Sequence, residues 1–139
     1  MQINAYLTFN GNCAEAFKFY EKCLGGKLMM MSNGQSPMAE QTPPEQRDRI
    51  MHAHLAVGDQ VLMGADAPPQ YFSQPQGFSV SLGAKDQSEG EKLFNAMSEG
   101  GNVKMPFQKT FWSVGFGMFI DRFGIPWMVN CAEAAQAAS

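Results

Sequence analysis

Two glycine pairs mark a repeat that constrains the fold of this 139-residue sequence more than any other feature. Gly25-Gly26 and Gly100-Gly101 lie 75 residues apart, and each pair follows a predicted amphipathic helix as a glycine C-cap does. One strand is predicted before each helix and three strands after it. This order predicts an α+β fold of two βαβββ modules, each with mixed strands and a helix on one face of its sheet. The other face of each sheet must be closed by the partner module, another subunit or a ligand.

The module boundaries follow from hydrophobic periodicity and turn residues. We predict a first module over residues 1–66, a Pro-containing linker over 67–76, a second module over 77–131 and a frayed tail over 132–139, all in one domain. The predicted strands are 3–9, 27–31, 50–57 and 60–65 in the first module, and 78–83, 102–106, 114–120 and 126–131 in the second. Asn12 and Asp86 are predicted N-caps of the two helices. Residues 32–48 are predicted to form a long irregular loop.

Composition excludes several classes of partner. Ten Lys and Arg residues against 13 Asp and Glu residues leave a net charge of −3, so we expect no nucleic-acid partner. No segment approaches the roughly 18 apolar residues of a membrane-spanning helix, and the N-terminus lacks the basic region of a signal peptide. Three cysteines without a Cys-x-x-Cys pair favour a reducing compartment, so we expect a cytoplasmic location. The helix dipole could lower the thiol pKa of Cys13, although a half-buried apolar role is the simpler interpretation.

Several local strings, in this order and spacing, resemble a known family. They are YLTFNGNCAEAF with FY (residues 6–17 and 19–20), MHAHL (51–55), VLMGAD (61–66), FW (111–112) and DRFGIPWMVN (121–130). They resemble the vicinal oxygen chelate superfamily of glyoxalase I, bleomycin-resistance proteins and extradiol dioxygenases, and within it the PhnB-like, 3-demethylubiquinone methyltransferase-like branch. The resemblance implies a cleft inside the curved sheet and frequent homodimers, in which modules pair within one chain or between chains. In metal-using members, it also implies one His or Glu ligand from each of four strands.

The four positions that match those metal ligands hold different chemistry here. They are Ala5, Met63, Val80 (or Ser81 if the alignment shifts by one residue) and Met128. Thioethers are soft donors, whereas the metals of such sites are held by imidazole and carboxylate groups. The sequence therefore predicts neither the metal site of the glyoxalases nor any other cofactor. A methyltransferase activity also lacks support, since no G-x-G-x-x-G loop for S-adenosylmethionine occurs.

His52 and His54 are the only histidines and keep an enzyme alternative open. At positions i and i+2 of a strand they point to the same face. A carboxylate from the long loop (Glu40, Glu45 or Asp48) could complete a metal site with them. That site would suit a divergent lyase, isomerase or dioxygenase. The simpler interpretation is a pair of hydrogen-bonded surface or interface histidines.

The leading hypothesis is a metal-free protein that binds an aromatic or amphipathic small molecule in an apolar cleft. The candidate ligand-binding residues are Ala5, Tyr6, Leu7, His52, His54, Met63, Val80, Gln108, Trp112, Trp127, Met128 and Asn130. Either tryptophan could belong to the core instead, and a one-residue slip of strand register would exchange the residues that face the cleft. A further alternative is a structural homodimer module without a ligand.

Overall fold

The structure is a computed structural model that describes residues 1–131. The predicted tail, residues 132–139, lies outside the described residues. The chain divides into two compact units, Met1–Ser73 (unit 1) and a second that begins at Gln74 (unit 2). Each unit contains a four-stranded mixed sheet and one α-helix in the order βαβββ, so the predicted α+β class and the repeated module are confirmed.

Unit 1 forms its sheet in the order β1-β4-β3-β2. Its elements are β1 (Ala5–Phe9), α1 (Cys13–Leu24), β2 (Lys27–Ser32), β3 (Ile50–Val57) and β4 (Gln60–Asp66). Strands β1 and β4 are parallel, and the other two pairs are antiparallel. The apolar side of α1 covers one sheet face, where the Phe17 ring packs edge-on at 6.0 Å from Phe9 and 5.5 Å from Tyr20. All three side chains are fully buried.

Unit 2 repeats this topology in the order β5-β8-β7-β6. Its elements are β5 (Val80–Gly83), α2 (Gln87–Ser98), β6 (Asn102–Gln108), β7 (Gly115–Ile120) and β8 (Pro126–Cys131). Phe94 of α2 packs edge-on against Phe119 of the sheet at a ring distance of 5.3 Å. A Cβ atom at Gly117 would lie 2.5 Å from the Phe94 ring, so the helix approaches the sheet closely because that side chain is missing.

The helix ends follow the sequence prediction in most respects. Gly25 and Gly26 leave α1 with φ angles of +76° and +94°, and Gly100 follows α2 with +78°. Asp86 caps α2, because its carboxylate accepts the Glu89 N–H at 2.8 Å. Asn12 precedes α1 as predicted. However, the N–H of Cys13 is bound by the Asp66 carboxylate at 3.1 Å and not by the Asn12 side chain.

The loop between β2 and β3 is irregular, as predicted, but it has internal order. It contains three short 3-10 turns, Asn33–Gln35, Ala39–Gln41 and Pro44–Gln46. Its two ends are joined by backbone hydrogen bonds from Asn33 N–H to Arg49 O at 2.9 Å and from Gly34 N–H to Arg47 O at 2.8 Å. The loop therefore closes on itself beside the sheet of unit 1.

Candidate functional site

The sheet of unit 1 has one face covered by α1 and one open face. Because side chains alternate along a strand, the open face is set by the residues between the buried ones. One row crosses all four strands, since Tyr6 lies opposite Met63, Met63 opposite His54, and His54 opposite Met29. His52 and Met31 lie opposite each other in the next row. We call these six residues the His–Met face.

Tyr6 and the two histidines are in contact on this face. The Tyr6 hydroxyl lies 3.2 Å from His52 Nδ1, and the His52 and His54 rings are 6.4 Å apart. Desolvation raises the pKa of Tyr6 above its ordinary value of 10.0, with a smaller contribution from Cys13. The hydroxyl is therefore protonated at neutral pH, so it can donate to His52 or accept from it. The prediction that both histidines share one face is confirmed.

The open face of unit 2 has a different composition. One row across the sheet contains Ser81, Met128, Met118 and Met105, and the next contains Gly83, Asn130, Phe116 and Gln108. Trp112 lies over this second row, because its ring is 5.5 Å from Phe116. Phe111 packs edge-on against Trp112 at 4.8 Å and is itself 96% exposed. We call these ten residues the aromatic face.

Asn130 contains an unsatisfied polar atom at the centre of the aromatic face. Its Oδ1 atom is shielded from solvent, yet no residue in 1–131 donates a hydrogen bond to it. The adjacent position on β5 is Gly83, and no atom of residues 1–131 lies within 4 Å of where its Cβ would be. An acceptor that is buried without a donor costs about 1–3 kcal/mol. The space beside Gly83 is open to a group from outside the chain, and such a group reaches Oδ1 when the atoms that shield it from solvent move.

Four of the predicted cleft residues lie on the opposite faces of the sheets. Leu7 and Trp127 are each only 1% exposed. Ala5 alternates with Tyr6 onto the face of Leu7, and Val80 lies opposite Trp127. Their placement in the cleft was wrong by one residue of register, because the apolar run from residue 5 to 7 does not reveal which parity faces the helix. Trp127 belongs to the core, where its Nε1–H donates to Asp121 at 2.8 Å.

The residues at the family's metal-ligand positions can now be compared with the donors that a metal site needs. Of the positions matched to the family ligands, Met63, Met128 and the alternative Ser81 lie in the open-face rows, whereas Ala5 and Val80 lie on the other faces. Two thioethers and one hydroxyl do not fit a divalent metal that prefers imidazole and carboxylate donors. In residues 1–131, no group of three or more His, Cys, Asp and Glu side chains could hold a metal ion. The alternative assembly of His52 and His54 with Glu40, Glu45 or Asp48 is therefore not formed within these residues.

Two carboxylates, which sequence reasoning did not single out, have prominent structural roles. Asp66, at the end of β4, accepts the N–H groups of Gly11 at 2.7 Å, Cys13 at 3.1 Å and Ile50 at 2.8 Å. Asp121 is 3% exposed and accepts N–H groups of the turn before β8. An aspartate at a strand end next to turn residues is the signal that could have identified both.

The Cys13 thiol behaves differently from one sequence-based prediction. Burial, together with the nearby Asp66 carboxylate, raises its pKa from 9.0 to about 12. The helix dipole does not lower it, because the side chain is fully buried and the charge on Asp66 opposes ionisation. Cys13 is therefore a buried thiol rather than a reactive one.

Comparison with known proteins identifies the family. A family model described as 3-demethylubiquinone-9 3-methyltransferase matches residues 1–130. The chain belongs to this PhnB-like family. It is 33% identical to the protein YjdN of Escherichia coli K12 over 142 residues, which covers 96% of this chain and 97% of YjdN. The predicted resemblance is confirmed.

Solved structures place the PhnB-like chain among glyoxalase folds. Protein PA1353 from Pseudomonas aeruginosa is 50% identical, with a TM-score of 0.88 over 95% of this chain and 98% of that one. A PhnB protein from Bacillus cereus has a TM-score of 0.77 at 20% identity, over 95% of this chain and 100% of that one. A glyoxalase/bleomycin resistance protein/dioxygenase domain from Frankia sp. EAN1pec shares the fold at 13% identity, with a TM-score of 0.66 over 96% and 93% of the two chains. None of the helices within residues 1–131 has the length and apolar character to span a membrane.

Proposed function

We propose that this PhnB-like chain binds a small organic molecule without the divalent metal of the metal-using glyoxalase-fold enzymes. The single observation that carries the proposal is the buried, unpaired Oδ1 of Asn130 on the aromatic face. Buried polar atoms in proteins nearly always have a partner, so an exception on an open sheet face calls for one. A ligand that displaces the atoms covering Oδ1 and donates a hydrogen bond to it would remove this deficit.

The residues around Asn130 define the chemical class of the ligand. Phe116 lies directly opposite Asn130 on β7, and Trp112 lies against Phe116. Aromatic rings prefer offset or edge-on contact with other planar groups, and Met118 and Met128 supply adaptable apolar contact. We therefore propose a planar, largely apolar ligand with one N–H or O–H donor. Gln108, opposite Phe116, is available as a second polar contact.

Indole and 1-methylindole form a matched pair of probes for this proposal. They share ring size and planarity, but only indole has an N–H donor. The wild-type protein should bind indole more tightly, by about tenfold, because one net hydrogen bond to a buried acceptor contributes roughly 1–1.5 kcal/mol. Dissociation constants from calorimetry or ligand-observed NMR would measure the difference. Equal affinity for the two probes, or no binding of either, would contradict the proposal.

Variants can assign the indole preference to the aromatic face. Asn130→Leu removes the acceptor and should abolish the preference for indole, whereas Gly83→Val fills the adjacent space and should weaken both probes. Asn95 on α2 is exposed, so Asn95→Leu is a matched control that should change neither. An unchanged preference in Asn130→Leu would exclude Asn130 as the recognition group.

We also propose that the chain forms a homodimer, with or without exchanged modules, in the cytoplasm. Exposed apolar side chains on both open faces, including Met29 and Phe111, support association. Cys13, Cys23 and Cys131 form no disulfide within residues 1–131, which suits a reducing compartment. Sedimentation equilibrium and cell fractionation test the two statements. A monomer at all concentrations, or a periplasmic signal, would contradict them.

A further inference from the structure

The His–Met face concentrates soft and borderline metal donors in a small area. Met29, His54 and Met63 lie directly opposite one another on three adjacent strands, and Met31 lies opposite His52 in the next row. Directly opposed residues have Cβ atoms about 5 Å apart, so their side chains can meet above the sheet. Met29 is 62% exposed and Met31 is 41% exposed, which leaves both thioethers accessible to an ion in solution.

The ring geometry allows both histidines to reach one ion. An ion about 2 Å from one nitrogen on each ring separates the ring centroids by roughly 6 Å when the N–ion–N angle is about 180°, and by roughly 5 Å at a tetrahedral angle. The His52 and His54 centroids are 6.4 Å apart, so the rings must move slightly closer to share an ion that also has thioether ligands. The Tyr6 hydroxyl, 3.2 Å from His52 Nδ1, can accept a hydrogen bond from Nδ1–H, which leaves the Nε2 lone pair available to a metal. Within residues 1–131, the His54 ring has no hydrogen-bond partner.

We propose that the His–Met face binds one soft monovalent cation of the Cu(I) class. His54 with Met29 and Met63 forms the centre of the site, and either His52 or Met31 supplies a fourth ligand. Thioether ligands select Cu(I), and imidazole also suits copper, whereas Mg²⁺, Ca²⁺ and Mn²⁺ prefer oxygen donors. Binding requires no redox step. This proposal stands apart from the small-molecule proposal, which depends on Asn130 in unit 2.

Unit 2 provides an internal control for the part played by imidazole. Met105, Met118 and Met128 form a similar row on the aromatic face, but no histidine lies in that unit. If exposed thioethers alone captured the ion, the two rows would bind equally well. Thiols also bind Cu(I), and Cys23 is only half-buried, so every protein in the test includes Cys23→Ser.

The test is an anaerobic competition between the protein and bicinchoninate for Cu(I). The protein should take up one equivalent of Cu(I) and leave Mn(II) unbound in a parallel titration. The double variant Met29→Leu with Met63→Leu should weaken Cu(I) binding at least about tenfold, and so should the single variant His54→Ala. About tenfold is the smallest loss of metal affinity expected even when a residue that only contacts a ligand is removed. Met105→Leu with Met118→Leu should leave the affinity unchanged.

These outcomes test the Cu(I) proposal independently of ligand binding on the aromatic face. Equal losses in the two double-methionine variants would show indiscriminate thioether binding and overturn it, as would full affinity in His54→Ala. No uptake against bicinchoninate would also overturn it. An X-ray absorption spectrum of the loaded protein should show both nitrogen and sulfur neighbours, and a spectrum with sulfur alone would contradict the role of the imidazoles. Far-UV circular dichroism checks that each variant is folded.

Discussion

The two units share one topology but stabilise it with different polar groups. In unit 1, Asp66 at the end of β4 ties the N-terminus of α1 to the sheet. In unit 2, the last residue of β8 is Cys131, whose Sγ lies 3.2 Å from Asp86 O, and Asp86 caps α2. The final hairpin of unit 1 turns on the exposed residues Gly58 and Asp59, whereas unit 2 turns on the buried Asp121. The βαβββ order is therefore compatible with more than one way of satisfying its turns.

The open faces differ in the same way. Both present a row with methionines, but unit 1 combines them with two imidazoles and unit 2 with aromatic rings and an amide. A repeated fold has thus given two surfaces of different chemistry, for which we propose a soft ion and a planar donor ligand respectively. Stability experiments can test whether the two units also differ in the polar groups that stabilise their turns and helix ends.

The largest difference in stability is expected between variants in the final hairpins of the two units. Asp121→Ala removes the acceptor shared by the Phe123 and Ile125 N–H groups and the Trp127 indole, so the free energy of unfolding should fall by about 3 kcal/mol or more. Asp59→Ala in the corresponding exposed turn should change it by less than about 0.5 kcal/mol. Denaturant titration of both variants measures the contrast. Similar losses in the two would refute a special role for Asp121.

The next largest loss of stability is expected from variants at the helix N-termini. Asp66→Ala removes the acceptor for three backbone N–H groups and should destabilise the protein by about 2 kcal/mol. Asp86→Ala removes the N-cap acceptor of one backbone N–H group and should lower the free energy of unfolding by about 1 kcal/mol. Urea titration gives both values. If Asp86→Ala proved the more costly, the Asp66 carboxylate would not be the main tie of unit 1.

Substitutions at the fourth residue of each helix should change stability for a different reason in each unit. A Cβ at Gly90 of α2 would lie 2.3 Å from Cys131 Sγ, so Gly90→Ala should cost about 1–2 kcal/mol despite its better helix propensity. Ala16, the fourth residue of α1, is fully buried, and Ala16→Gly should cost about 1 kcal/mol. Adding Cys131→Ala to Gly90→Ala should recover part of the stability. No recovery in that double variant would mean that the contact with Sγ does not set the cost.

The smallest effect at neutral pH concerns the Cys13 thiol. Because its pKa rises from 9.0 in the unfolded chain to about 12 in the folded one, the thiol's contribution to stability is fully present below pH 9. It is lost as the pH rises from 9 towards 12, where the unfolded chain ionises first. Stability measured across that range should fall less steeply for Cys13→Ala than for the wild type. Parallel slopes would show that another group controls the alkaline loss.

The fold was largely predictable because its signals are local. The glycine pairs after both helices, the Asp86 cap and the two-residue turn at Gly58 all act over a few residues. The strand faces were less predictable, since Ala5, Tyr6 and Leu7 would all suit an apolar environment and only packing against α1 decides between them. The roles of Asp66 and the unpaired Oδ1 of Asn130 depend on contacts between residues distant in sequence, which no local pattern encodes.

An amide-resolved NMR titration of the full chain with indole tests directly whether Asn130 recognises the ligand. Saturable shifts are expected for the Asn130 side-chain amide and for the backbone amides of Gly83 and Phe116. Little change is expected on the His–Met face, and 1-methylindole should produce the same pattern only at about tenfold higher concentration. Shifts confined to residues outside the aromatic face, or identical titrations by the two probes, would contradict the claim that Asn130 on an open sheet face recognises a planar donor ligand.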